Sequence, residues 1–196
     1  MKVALCLFGK LGNKITKSSL DLPSDNIAPS ICAPYQMKSL SEANHIDIFL
    51  HSWSKEFENE IISTYKPKSF KIEKFTLNKD IEDSISLVLQ KRKLFVKVKD
   101  FLKKKLSFNY KKKYKGAFNR SLNAHCRWIS TYKSVELMNN YSKVHSLKYD
   151  FVLISRFDTL FFNSFKFKNL DQTSLYASHW NDVTWKKPMV PEFNFK

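Results

Sequence analysis

The chain has 196 residues, 43% of them hydrophobic and 15% aromatic, which is enough for one domain with a substantial core and excludes a disordered chain. Its net charge of +16 comes mostly from lysine, and the four arginines, Arg92, Arg120, Arg127 and Arg156, are few enough that each fork-shaped donor can be read individually. Three glycines and the absence of a repeat or Gly/Ser run exclude a solenoid or a flexible interdomain hinge, and no apolar run is long enough to span a bilayer.

Cys6, Cys32 and Cys126 are isolated among apolar or helical residues without metal-ligand spacing, which points to a reducing, cytoplasmic setting. The amino terminus carries one lysine and a short apolar run, Lys2 to Phe8, which reads as a buried first strand and not as a signal peptide. That run ends in Gly9-Lys10-Leu11-Gly12-Asn13-Lys14. A strand followed by a glycine-containing loop is how nucleotide-binding α/β units begin, because glycine lets the backbone approach a ligand. The loop lacks the Gly-x-Gly-x-x-Gly fingerprint, and Lys14-Ile15 fails the Gly-Lys-Ser/Thr ending of a P-loop, so a dinucleotide enzyme and a P-loop kinase are both disfavoured. A glycine serving only a tight turn is the simpler alternative.

Ser18 to Ser30, with Pro23 and Pro29, reads as a loop, and Ile31 to Ala43 has helical spacing. Ile46 to Trp53 is a second strand whose imperfect alternation suits a parallel strand covered on both sides. His51 stands near its carboxyl end; without a second histidine or carboxylate at ligand spacing, a structural role is the simpler reading. Ser54 is placed to cap a helix running through Glu60 and Ile62, and Pro67 stops that helix before a third strand around Phe70 to Phe75.

Asp80 to Leu106 carries a long amphipathic pattern with Ile81, Ile85, Val88, Leu89, Leu94, Phe95, Val98, Phe101 and Leu102 on one stripe. Lys103-Lys104-Lys105 and Lys111-Lys112-Lys113 then flank Phe108, Asn109 and Tyr110, so residues around 80–120 read as a lysine-rich helical and loop insertion. Such a run is either a solvated face or a patch for an anionic membrane surface, a polyanionic acceptor or nucleic acid. Ser121 to Val144 is the second long helix, with Ser121 as cap and Leu122, Cys126, Ile129, Tyr132, Leu137, Tyr141 and Val144 as its buried stripe. Its first turns hold Asn123, His125 and Arg127.

Phe151 to Ile154 reads as a central strand buried on both faces, and it ends on Arg156-Phe157-Asp158. At the carboxyl end of a strand in an open α/β sheet, where such folds hold ligands, Arg156 suits a phosphate and Asp158 a hard cation. An ordinary Arg/Asp surface pair is the alternative. Beyond a polar connection, Ser174 to Ser178 is a further expected strand, followed by His179-Trp180-Asn181-Asp182.

Val3 to Gly9, Asp47 to Trp53, Tyr65-Lys66-Pro67-Lys68 before Ile72-Glu73, Trp128 to Leu137, and Tyr149-Asp150 with Arg156-Phe157-Asp158 together resemble small nucleotide-sugar glycosyltransferases of the GT-A fold. Enzymes of this kind occur in bacterial surface-polysaccharide loci and in large DNA viruses and phages. The resemblance spans nearly the whole chain. It implies a single α/β domain over residues 1–196, with a mostly parallel Rossmann-like sheet flanked by helices. The activity it implies is transfer of a sugar from a nucleotide-diphosphate donor to a glycan or lipid-linked acceptor. By the same resemblance, Asp158 holds a divalent cation, Mn²⁺ or Mg²⁺, while Arg156 and Arg127 face the diphosphate and Phe8, Gly9, Lys10, Ser52 and Trp53 bind the nucleotide. Asp182 is the acceptor-side candidate.

Two departures stand out. Arginine occupies the place of the first aspartate in the commoner Asp-x-Asp element, and Lys10 and Lys14 stand where related chains often carry an arginine. Enzymes of this fold usually continue beyond the strand after the metal motif to build the acceptor side. That leaves open a catalytic base in further sequence, a minimal enzyme or an inactive one. The competing expectation is a non-catalytic basic α/β module that binds nucleic acid or an anionic membrane surface through its lysines. The scarcity of arginine and the lack of a nucleic-acid motif weigh against the nucleic-acid form of it.

Overall fold

A computed structural model of the chain describes residues 1–11, 29–42, 44–77, 79–87 and 108–176, the first ten residues of the last range as backbone only. Four strands, β1 (Lys2–Gly9), β2 (His45–Ser52), β3 (Ser69–Ile72) and β4 (Phe151–Arg156), form one sheet in the order β3-β2-β1-β4. All three pairings are parallel. Helices α1 (Pro29–Ser41) and α2 (Glu58–Tyr65) cover one face, and α4 (Phe108–Val144) crosses the other; residues 79–87 form a further helix, α3. The chain is therefore an α/β protein with a parallel sheet between helical layers.

Strand alternation sorts the side chains between the layers. Val3, Leu5 and Leu7 of β1, Ile48 and Leu50 of β2 and Ile72 of β3 meet Ala33, Leu40, Phe57, Ile61 and Tyr65 in the larger core. On the opposite face Ala4, Cys6 and Phe49 meet Met138, with Val135, Tyr141 and Tyr149 packed around them. β1 is buried along six consecutive residues, as a strand with neighbours on both sides and helices on both faces must be.

β4 departs from the expectation of a central strand. It lies at one end of the four-stranded order, and its burial alternates: Phe151 and Leu153 are half-buried, whereas Val152 and Ile154 are 44% and 47% exposed. These two stand beside Ala4 and Cys6 in register, on the face that α4 covers over β1 to β3. An apolar run alone does not distinguish a strand buried twice from an edge strand with one dry face.

Other boundaries also moved. α4 starts at Phe108, so Ser121 is an interior residue and not a cap, and residues 108–120 are part of this helix. Lysine is a good helix former, and the single Gly116 does not break the run. Tyr132 and Val144 face solvent, and among the described side chains of α4 those buried on the sheet are Ser130, Ser134 and Met138, spaced by four. β3 stops at Ile72. Ser54 makes no capping bond; a short 3-10 turn, Lys55–Phe57, precedes α2, and the Ser54 hydroxyl instead donates to the Leu11 carbonyl and accepts from the Leu11 N–H, both at 2.9 Å. Residues 174–176 are not strand. Most of the expected loop from Ser18, Lys14, the amphipathic pattern beyond residue 87, Lys103 to Lys105, and Asp182 lie outside the described residues.

Candidate functional site at the carboxyl edge of the sheet

Because all the strands are parallel, their last residues, Gly9, Ser52, Ile72 and Arg156, lie along one edge of the sheet. Two devices fix the loops that leave it. The first holds the turn after β4. Phe157 is buried against the Tyr65 ring, with centroids 5.6 Å apart, so the middle residue of Arg156-Phe157-Asp158 is a core anchor that leaves its two charged neighbours at the surface. Gln36 of α1 is fully buried and directs its amide nitrogen at the carbonyls of Arg156 (3.0 Å), Phe157 (3.4 Å) and Thr159 (2.8 Å). Its amide oxygen accepts from the Tyr65 hydroxyl at 3.0 Å. A buried carboxamide with every bond made is a rigid ruler for the turn.

Arg156 and Asp158, two residues apart, turn back on each other as a bidentate pair, with Arg156 Nε donating to Asp158 Oδ1 at 2.6 Å and a terminal guanidinium nitrogen donating to Oδ2. The guanidinium holds the Asp158 carboxyl below the usual carboxylate range, and the charge of Arg127 on α4 acts in the same direction. Arg156 is neighbour to Phe8 in the β1–β4 register. The strand end thus brings together Arg156, Asp158 and, through its field, Arg127, next to the Phe8-Gly9-Lys10 turn.

The second device holds that first turn. Gly9 has φ +121°, a left-handed conformation that disfavours any other residue, and its carbonyl accepts from the Trp53 N–H at 3.1 Å. Its own N–H donates to Ser130 Oγ of α4 at 2.9 Å. Ser130 in turn lies 2.7 Å from His51 Nδ1, and His51 Nε2 lies 3.2 Å from Glu73. Burial pushes the His51 pKa down to about 4, so the ring is neutral at ordinary pH. Burial alone would raise Glu73, but bonds from Lys133, His51 and Lys71 outweigh it and hold the carboxyl at about 2. An ionised Glu73 only accepts, which puts the imidazole proton on Nε2 and leaves Nδ1 to accept from the Ser130 hydroxyl; the His51 carbonyl, at 3.2 Å, is that hydroxyl's other acceptor.

The nucleotide candidates on β2 are packed into this network. Ser52 is buried and accepts from the Ser54 N–H at 3.1 Å. Trp53 is half-buried, its ring edge-on to His51 (4.5 Å) and Phe75 (5.4 Å), with Lys133 Nζ over it at 4.8 Å and its indole N–H on the Cys126 carbonyl at 3.3 Å. Lys10 is exposed and Phe8 buried. Among the described residues no group of three or more His, Cys, Asp or Glu side chains is arranged to hold a metal ion.

Sequence reasoning did not single out Gln36, Glu73 or Ser130. Gln36 and Ser130 are polar residues inside helices, where hydrophobic periodicity gives them no weight. The one available signal was the pair of small residues Ser130 and Ser134, four apart, which lets a helix lie close to a sheet.

Compared with models of known protein families, with curated proteins and with solved structures, the chain matches none.

Proposed function

We propose that the chain is a glycosyltransferase of GT-A type that takes a sugar from a nucleotide-diphosphate donor and passes it to a glycan or lipid-linked acceptor. The observation that carries this reading is the cationic strand end: Arg156, with Arg127 acting on the same carboxylate, beside a left-handed glycine turn at the carboxyl edge of a parallel sheet. Such edges are where α/β folds bind nucleotides. Breaking the bond between the sugar and the diphosphate leaves negative charge on the leaving phosphate, and preorganised guanidinium groups stabilise that charge in the transition state more than in the ground state. Arg156 is the principal diphosphate group, with Arg127 and Lys10 as supporting cations. The Gly9 turn and Trp53 border the nucleotide.

Asp158 is the carboxylate for a divalent cation, Mn²⁺ or Mg²⁺. Both its oxygens are engaged by Arg156, so to hold a cation Asp158 would have to be released by the guanidinium, which would turn instead to the diphosphate. A cation bound there supplies further charge neutralisation for the leaving group.

Thermal shift with uridine and guanosine diphosphates, with and without Mn²⁺, tests the reading by linkage. The expected result is a rise in melting temperature with nucleotide and a further rise with Mn²⁺ that Asp158→Asn removes. Oligonucleotides that stabilise the chain where nucleotide diphosphates do not would replace the transferase reading with that of a non-catalytic basic module.

A further inference from the structure

α4 presents two unlike faces. Ser130, Ser134 and Met138 are buried on the sheet, while Trp128 and Tyr132, each two residues before a buried serine and so about 200° around the helix from it, are 72% and 65% exposed. At 100° per residue Trp128 and Tyr132 sit one turn apart on the outward side, forming an aromatic ridge. Tyr132 is tied only lightly, its hydroxyl donating to Glu136 at 3.0 Å. The helix that carries this ridge holds eight lysines and arginines against one glutamate, with Lys111, Lys112, Lys113 and Lys115 in its first two turns. Among the described residues, its first hydrogen bonds to the sheet side are made at Cys126 and Ser130.

From this juxtaposition we infer that the outward face of α4 docks on an anionic lipid surface, with Trp128 and Tyr132 seated at the headgroup level and the lysine-rich first turns held by lipid charge. Two observations favour lipid over nucleic acid. The cations of the helix are mainly lysine, point charges suited to a diffuse anionic surface, and fork-shaped donors are few. The exposed aromatics are a tryptophan and a tyrosine, whose apolar bodies and polar tips suit the membrane boundary. The consequence is geometric: Cys126 and Ser130, which flank Trp128 in the chain, bond to Trp53 and Gly9, so the carboxyl edge of the sheet lies beside this stretch of the docked helix. The inference does not depend on the transferase reading, since a module without catalysis docks in the same way.

The test is cosedimentation of the full chain with vesicles of phosphatidylcholine alone or mixed with phosphatidylglycerol, at low and high salt. Binding is expected only to the anionic vesicles and is expected to weaken with salt. Changing Lys111, Lys112 and Lys113 together to Gln should lower partitioning on the order of a hundredfold at low salt, from the contribution of each basic residue near an anionic surface. Trp128→Ala with Tyr132→Ala should lower it roughly tenfold with an unchanged melting temperature, from the loss of buried aromatic area. As a second readout, brominated acyl chains should quench the wild-type tryptophan fluorescence and quench Trp128→Phe much less. No binding to phosphatidylglycerol vesicles, or binding and quenching indifferent to residue 128, would overturn the inference. So would an oligonucleotide that displaces the protein from vesicles and loses its own affinity on the same aromatic substitutions.

Discussion

The two faces of the sheet solve the same packing problem by different means. Beneath α1 and α2 the contacts are large and apolar: Leu5, Leu7, Leu50, Ile61 and Phe157 interdigitate, and the one deeply buried carboxamide, Gln36, is fully bonded. Beneath α4 the apolar patch is small, and the helix is held as much by Ser130, His51, Glu73 and Lys133 as by Met138. The apolar face takes its strength from area removed from water, which does not depend on protonation. The polar face gains geometric definition, because hydrogen bonds fix distances, and it becomes dependent on protonation. Both faces end on the same edge, one holding the turn after β4 and the other the turn after β1.

The largest effect that separates the two faces is expected at Phe157. Phe157→Ala removes a buried ring from the apolar face and should cost about 3–5 kcal/mol, measured by urea denaturation. It should also free Arg156 and Asp158 from their fixed spacing. A loss below about 1 kcal/mol would show that the turn is held by Gln36 alone.

The next effect belongs to His51. Its folded pKa, about 4, lies below the ordinary value of 6.5, so between these values the unfolded chain binds a proton that the folded chain refuses. Stability should therefore fall as the pH is lowered from 6.5 to 4, by on the order of 3 kcal/mol, and this contribution should change no further below the folded pKa. Glu73, held down at about 2, adds a separate loss that starts as the pH falls through 4.5. His51→Gln should flatten the profile above pH 4.5 while leaving the Glu73 limb. A wild-type profile that is flat between pH 6.5 and 4.5 would mean that the ring takes up its proton without cost.

The smallest effect sharpens the comparison most. Ser130→Ala keeps the helix against the sheet but strands the Gly9 N–H and His51 Nδ1, at an expected cost of about 1–3 kcal/mol. Ser130→Cys, which keeps a weak donor and acceptor, should recover part of it. Amide exchange at Gly9 should rise in Ser130→Ala well beyond the average for β1, since the bond that protects it is gone. Exchange that rises uniformly along β1 would assign Ser130 to general packing.

The amino-acid order settled what depends on neighbours along the chain. Apolar runs fixed β1 and β2, Pro67 closed the segment after α2, whose last residue is followed by the left-handed Lys66, and alternating strands and helices fixed a parallel α/β sheet. The composition around Arg156-Phe157-Asp158 was enough to mark a strand end with a charged pair. Tertiary structure decided the rest, because it depends on partners far apart in sequence. Whether β4 is central or at an edge follows from which strands lie beside it, not from Phe151 to Ile154. Phe157 is an anchor only because Tyr65 and Gln36 stand under it. Ser130 gained its role from Gly9, 121 positions away, and His51 from a carboxylate 22 residues on. A polar side chain in a helix carries the same local signal whether it meets water or a buried amide, and only the folded chain brings the amide to it.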